Sequence, residues 1–169
     1  MHVKAWIDEE LADAEARLAH QVLRLVPARQ RGETPPGGGN SIAWTLFHLA
    51  RHAELAVAVL TGDPPRHHGG DGLQETEHPV DVGDAGAHAQ EILAAARAVL
   101  PGVDLDARPD AAGMLRRSGV PHETFSWLYE QWEGQPAAFF VRWPLVGHVQ
   151  NHLGEAIATR NRLGLSPHA

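Results

Sequence analysis

Two histidine pairs with helical spacing are the residues of this chain best suited to metal chemistry. His48 and His52 are four positions apart, and so are His148 and His152. At about 3.6 residues per turn, side chains at i and i+4 lie on one face of a helix, so each pair could hold two positions of one metal ion. Composition alone would give about 0.8 such pairs among twelve histidines, so surface pairs or hydrogen-bonded core pairs are alternatives.

A metal site needs more than one pair, and the two pairs together provide enough ligands. Both lie on stretches that also carry apolar residues, and a buried imidazole without a partner is costly. His148 and His152 together with His48 would give three neutral nitrogen ligands inside a helical bundle. Such a set suits Zn, Ni or Fe and leaves one position open for water or substrate.

Three further residues near these histidines are candidates for chemistry. Glu155 could accept a hydrogen bond from an imidazole or act as the general base for bound water; it could also be a surface glutamate that pairs with Thr159 or Arg160. Trp44 and Arg51 flank His48 and are candidate cofactor-binding residues. Arg51 could meet an anionic substrate or simply face solvent.

The other histidines have no comparable support and are predicted to be solvated residues. Three of them lie in one long connection, where exposed polar residues are common. The full set is His2, His20, His67, His68, His78, His88, His122 and His168.

Four amphipathic stretches must position the candidate ligands. They are residues 6–26, 41–60, 84–100 and a last helix that begins near Trp143 or Pro144 and ends at Gly164. The second stretch is apolar over most of its circumference and should be largely buried. With no convincing sheet, the pattern predicts an all-α four-helix bundle and a single domain over residues 1–169.

The connections between these stretches are long. Residues 61–83 form a histidine-rich loop without periodicity, and residues 102–121 read as irregular surface chain. Residues 122–143 fit either a short helix followed by a turn or a β-hairpin, and we favour the helix.

Composition excludes several classes of partner. The chain has 169 residues, a net charge of -7 and no cysteine. The acidic balance argues against nucleic acid and anionic membranes, and the lack of cysteine excludes disulfides and thiolate ligands. No apolar run has the length of a signal peptide or a membrane span, so we expect a cytoplasmic protein.

Two segments resemble the DinB-like family, which contains the DinB/YfiT-type proteins and the thiol-dependent maleylpyruvate isomerases. They are Asn-Ser-Ile-Ala-Trp-Thr-Leu-Phe-His-Leu-Ala-Arg at 40–51, and His-Val-Gln-Asn-His-Leu-Gly-Glu at 148–155 followed by Arg160 and Leu163-Gly164. The resemblance implies a four-helix bundle, often a homodimer, with a divalent metal on His48, His148 and His152. His52 lies outside the family pattern and is expected to be a spare or supporting group.

Three functions are compatible with such a site. The favoured one is a metal-dependent S-transferase, in which a low-molecular-weight thiol such as mycothiol or bacillithiol binds the metal and attacks a small-molecule electrophile. The second is a hydrolase that uses metal-bound water with Glu155 as base. The third is a non-catalytic, stress-related protein with a structural metal.

Overall fold

The structure, a computed structural model, describes residues 3–168, and this part of the chain is helical with no strand. The α-helices are α1 (Val3–Arg17), α2 (Ile42–Thr61), α3 (Ala85–Val99), α4 (Ala111–Arg117), α5 (His122–Trp132), α6 (Ala137–Phe140) and α7 (His148–Arg162). Two π-helical segments, Leu18–Leu23 and Val141–Gly147, follow α1 and precede α7. The predicted all-α fold is confirmed.

Four of these helices form the bundle. Helix α2 packs against α3 and α7, and α1 packs against the same two helices. This closed arrangement is the one that four amphipathic stretches adopt when each buries a single apolar face. None of the helices in residues 3–168 combines the length and the apolar character that crossing a membrane requires.

Helix α2 lies at the centre of the fold and has well-defined ends. The Ser41 side chain accepts a hydrogen bond from the backbone N–H of Trp44 at 3.1 Å, and Gly62 ends the helix with a φ of 82°. Sixteen of its 20 residues are buried, as its apolar composition predicts. Because four of the buried residues are titratable, namely His48, Arg51, His52 and Glu54, they need partners from other elements.

The segment before the last helix differs from the sequence prediction in one way and agrees with it in another. Residues 102–121 are not simply surface chain, because α4 forms there with Met114 and Leu115 buried. Asp110 caps α4 by accepting a hydrogen bond from the backbone N–H of Gly113 at 2.8 Å. A seven-residue helix is too short to show a clear period. Residues 122–132 form helix α5, so the helix favoured over a hairpin is confirmed.

The last helix begins earlier than predicted. Helix α6, the π-helical segment Val141–Gly147 and α7 follow one another without a break, and Pro144 lies inside the π-helical part. In an α-helix a proline ring would clash with the carbonyl one turn earlier, whereas a widened turn can accommodate it. The proline therefore lies within a π-helical stretch, and the predicted start at Trp143 or Pro144 is wrong because helical backbone already precedes both residues.

Candidate metal centre

Helices α2 and α7 bring four histidines together inside the bundle. The ring centroids of His148 and His152 are 4.4 Å apart, and that of His48 lies 4.9 Å from His148 and 4.5 Å from His152. The His52 ring lies 4.4 Å from that of His148. All four side chains are buried. The three predicted ligands are therefore adjacent, with His52 beside them.

Glu75, from the loop between α2 and α3, completes this cluster. Its Oε1 lies 3.6 Å from Nε2 of His48, and its Oε2 lies 3.9 Å from Nε2 of His152. One ligand atom from each of His48, Glu75, His148 and His152 lies within 4.8 Å of the others. The Glu75 side chain is 75% exposed, so it stands at the solvent side of the buried histidines. Sequence reasoning missed it, because its loop has no periodicity that relates it to the helices.

Hydrogen bonds orient two of the imidazoles for metal binding. Nδ1 of His48 donates to the carbonyl of Gly72 at 2.8 Å, and Nδ1 of His152 donates to Oε2 of Glu155 at 2.8 Å. Both bonds place the proton on Nδ1 and leave the Nε2 lone pair for a metal ion. Nε2 of His48 and Nδ1 of His148 are buried and have no hydrogen-bond partner among the described residues. These unpaired nitrogens fit a divalent metal.

The electrostatics also favour neutral imidazoles. Burial, together with the neighbouring histidines, lowers the pKa of His48 and that of His148. Burial and the nearby His48 lower the pKa of His52 to about 3. At pH 7 these rings are therefore unprotonated, which is the form that binds metal ions.

Asn40 holds the Glu75 loop against the start of α2. Its side-chain amide donates to the carbonyl of Glu75 at 2.7 Å, and its side-chain oxygen accepts from the backbone N–H of Glu77 at 2.9 Å. The Glu77 carboxylate in turn accepts from the backbone N–H of Ser41 at 2.7 Å. The residues that begin α2 therefore also fix the backbone that carries Glu75.

The three other candidate residues have distinct surroundings. Glu155 accepts the hydrogen bond from His152, which lowers the pKa of its carboxyl, and its side chain is 39% exposed. Arg51 is fully buried and donates to the Glu54 carboxylate and to the carbonyls of Gly69 and Asp71, so the solvent-facing alternative is wrong. Trp44 is also buried, and its Nε1 has no hydrogen-bond partner in the described part of the chain.

The remaining histidines divide into two groups. Those that are exposed, as predicted, are His20, His68, His122 and His168. His88 is buried on α3, so its predicted solvation is wrong. Helix α3 packs against α2, and side chains on the face of α3 turned towards α2 are shielded from solvent. His67 is half-buried beside Glu54, and His78 packs edge-on against Trp44 at 4.6 Å between ring centroids, because their loop folds over α2. His2 lies outside the described residues.

A cavity of about 170 Å³ opens beside the cluster. Three tryptophans contribute to its wall, and two of them, Trp127 and Trp143, are partly exposed. Its lining is His52, Glu75, Trp127, Gln131, Trp132, Trp143, Pro144 and His148. The cavity thus combines three tryptophans with two of the clustered histidines and with the polar side chains of Glu75 and Gln131.

Comparison with known proteins agrees with this geometry. A family model described as the DinB superfamily matches residues 11–156, a range that includes His48, Glu75, His148 and His152. Neither a curated protein nor a solved structure gives a significant match to the chain.

Proposed function

Because this chain belongs to the DinB superfamily, we propose that it is a metal-dependent enzyme that transfers a low-molecular-weight thiol to a small electrophile. The observation that carries the proposal is the convergence of His48, His148 and His152 beside a cavity. Three neutral nitrogens suit Zn, Ni or Fe. A metal held by the three histidines alone would lower the pKa of a thiol or water that takes the next coordination position.

The chain's own residues would orient the ligands and enclose the reaction. Gly72 and Glu155 fix the rings of His48 and His152 through their Nδ1 atoms. The tryptophans of the cavity offer an apolar wall for the body of an electrophile, in the manner of most small-molecule sites. Trp44 stays a candidate for cofactor contact, because its Nε1 has no hydrogen-bond partner among residues 3–168.

The thiol must come from outside the protein, because the chain has no cysteine. Mycothiol and bacillithiol are the candidate thiols. Glu75, at the exposed side of the cluster, is placed to contact a thiol or substrate that enters from solvent.

Hydrolysis is the second candidate, and the position of Glu75 favours it. Its carboxylate is largely exposed yet lies within 4 Å of two of the clustered imidazoles. It could accept a proton from an attacking water, whereas Glu155 is already occupied by His152. In this candidate Glu75, rather than Glu155, is the general base.

Metal content tests the site. We expect tag-free protein to purify with close to one equivalent of metal at this site, and we expect the His148→Ala and His152→Ala variants to lose it. His20→Ala, which removes an exposed histidine, is the control. Unchanged metal content in the two α7 variants would refute the site.

Turnover with and without thiol separates the activities. We expect the metal-loaded protein to conjugate mycothiol or bacillithiol to a chromogenic aryl halide. Cleavage of an activated ester without thiol would instead support the hydrolase. If the metal-loaded protein catalyses neither thiol conjugation nor ester cleavage, the remaining hypothesis is a non-catalytic, stress-related binding protein.

We also propose that the protein is a cytoplasmic homodimer, as expected for its family. An apolar surface at the start of α1, with Val3 and Trp6 exposed, is a suitable contact region. Light scattering of the purified protein, compared with a Trp6→Glu variant, tests this proposal. A monomeric wild type would refute it.

A further inference from the structure

A second cluster of metal-binding side chains lies on the other side of α2. Oε2 of Glu54 is 3.2 Å from Nδ1 of His67 and 3.7 Å from Nε2 of His88. One ligand atom of each residue lies within 4.8 Å of the other two. Ligand atoms of a tetrahedral zinc ion are separated by about 3.3 Å, given metal–ligand bonds of about 2.0 Å. The two measured separations bracket that value.

His88 is the residue of this cluster that most needs a partner. Its side chain is only 10% exposed, and neither ring nitrogen has a hydrogen-bond partner among the described residues. Its ring centroid lies 4.4 Å from that of His67. Burial lowers the pKa of His88, which keeps the imidazole neutral and its lone pair available. A buried neutral imidazole with two unpaired nitrogens is costly unless something binds it.

We propose that Glu54, His67 and His88 form a second site for a divalent transition metal, separate from the histidine cluster between α2 and α7. Two imidazole nitrogens and one carboxylate oxygen are a ligand set that suits zinc and its neighbours. The three ligands come from α2, from the loop after it and from α3. A metal bound there would connect these three elements.

The surroundings of Glu54 hold its carboxylate in place for this role. Oε1 accepts hydrogen bonds from the backbone N–H groups of Arg66 and His67 at 2.9 and 3.2 Å. Oε2 accepts from Arg51 at 2.6 Å and from Nδ1 of His67 at 3.2 Å, and it lies 3.7 Å from Nε2 of His88. Burial opposes the ionisation of Glu54, but Arg51 and His67 keep its pKa below the usual value. The carboxylate is thus charged and fixed, as a ligand should be.

A cation can reach this cluster from solvent. A cavity of about 360 Å³ is lined by His67 and His88, by Arg66, and by three carboxylates, from Asp81, Asp84 and Glu91, of which Glu91 pairs with Arg66 at 3.3 Å. Acidic side chains at the mouth of a cleft raise the local concentration of cations. The same cavity leaves room for water or a further ligand beside the proposed site.

Zinc stoichiometry tests the proposal. Tag-free protein is stripped with a chelator and titrated with Zn²⁺ against a chromogenic competitor at pH 7.5. We expect two equivalents for the wild type and one for each of the His67→Ala and His88→Asn variants, with affinity at the altered site reduced at least 100-fold. The His148→Ala/His152→Ala double variant should also keep one equivalent, and adding His88→Asn to it should remove that one.

The control is His68→Ala, which removes an exposed histidine next to His67 and should leave two equivalents. Circular dichroism checks that each variant folds; if His88→Asn does not, the half-exposed His67 decides the test. A wild type that binds one equivalent, or His67→Ala and His88→Asn variants that keep two, would overturn the proposal. Loss of metal only in the α7 variants would support the first site and reject the second.

Discussion

At the scale of single residues, the orientation of His152 depends on Glu155. The carboxylate accepts the Nδ1 proton of His152 at 2.8 Å, which leaves Nε2 for the metal. We expect Glu155→Ala to weaken metal binding by about 10- to 100-fold, the usual effect of removing such a partner. Glu155→Gln should bind more tightly than Glu155→Ala, because the amide oxygen can still accept the bond. Competition with a chromogenic chelator measures both affinities.

The same pair of variants separates the two roles predicted for Glu155. If the residue were instead the general base for bound water, Glu155→Ala would lower turnover while the metal affinity stayed unchanged. Glu130→Gln, an exposed change on α5, serves as the matched control and should alter neither quantity.

A second residue-scale prediction concerns pH and His52. The pKa of His52 is about 3 in the folded protein, against an ordinary value of 6.5 for histidine. Between these values the unfolded chain binds a proton that the folded protein does not, so the unfolding free energy falls as the pH drops below about 6.5. The titration of His52 changes the unfolding free energy by up to about 1.4 kcal/mol per pH unit. Denaturation of metal-free protein at pH 7, 6 and 5 should show a smaller pH dependence in His52→Gln. Equal slopes in the two proteins would contradict the prediction.

The residues that sequence could identify are those that helical periodicity relates to one another. His148 and His152 share a helix face, and the apolar character of α2 placed His48 in the core. Glu75 and His67 lie in a loop whose path depends on tertiary contacts, such as the hydrogen bonds between Asn40 and the backbone of Glu75 and Glu77. No spacing rule connects them with α2 or α3, so neither cluster could be completed from sequence.

At the scale of elements, the loop between α2 and α3 is docked on α2 through Gly72. Its carbonyl accepts the hydrogen bond from His48, and its φ is 78°. A Cβ at this position would lie 2.7 Å from Cγ of Arg51 and 2.8 Å from the Phe47 ring. We expect Gly72→Ala to lower the unfolding free energy by about 2 to 5 kcal/mol, through backbone strain and overpacking. Metal affinity should also fall, because His48 loses its orientation. Denaturation and chelator competition measure the two effects.

Gly69 offers the matched control in the same loop. Its φ is 83°, but a Cβ there would meet nothing within 4 Å. Gly69→Ala should therefore cost only the strain of the left-handed backbone, about 1 to 2 kcal/mol. If the unfolding free energy fell by the same amount in both variants, the close packing of Gly72 against α2 would make no contribution to stability.

The positions of the long helices could be predicted from the sequence more accurately than those of the short ones. Ser41 and Gly62 mark the ends of α2, and local capping chemistry is sufficient to place them. Helix α4 was missed because seven residues carry little periodic signal. The helical residues before Pro144 were missed because proline is common at the first position of a helix, which suggested a start there, and only tertiary packing selects a π-helical turn around it.

At the scale of the whole molecule, the bundle buries polar groups that a metal-free protein leaves unpaired. The imidazoles of His48, His148 and His88 each have a buried nitrogen without a partner in the described residues. Ligands that bind only the folded state stabilise it by mass action, by about 4.1 kcal/mol at a free concentration 1,000 times Kd. Metal binding should therefore add directly to the stability of the fold.

Thermal unfolding makes this prediction quantitative. For a chain of this size about 1 kcal/mol corresponds to about 2 to 4 °C, so saturating Zn²⁺ should raise the Tm of stripped protein by about 8 to 16 °C per tight site. Mg²⁺, which prefers oxygen ligands, should have little effect. In the His148→Ala/His152→Ala variant, Zn²⁺ should raise the Tm only by the amount due to the site at Glu54, His67 and His88. Adding His88→Asn to this variant should abolish the remaining rise in Tm. A Tm that Zn²⁺ does not change would show that the unpaired imidazoles are satisfied in some other way.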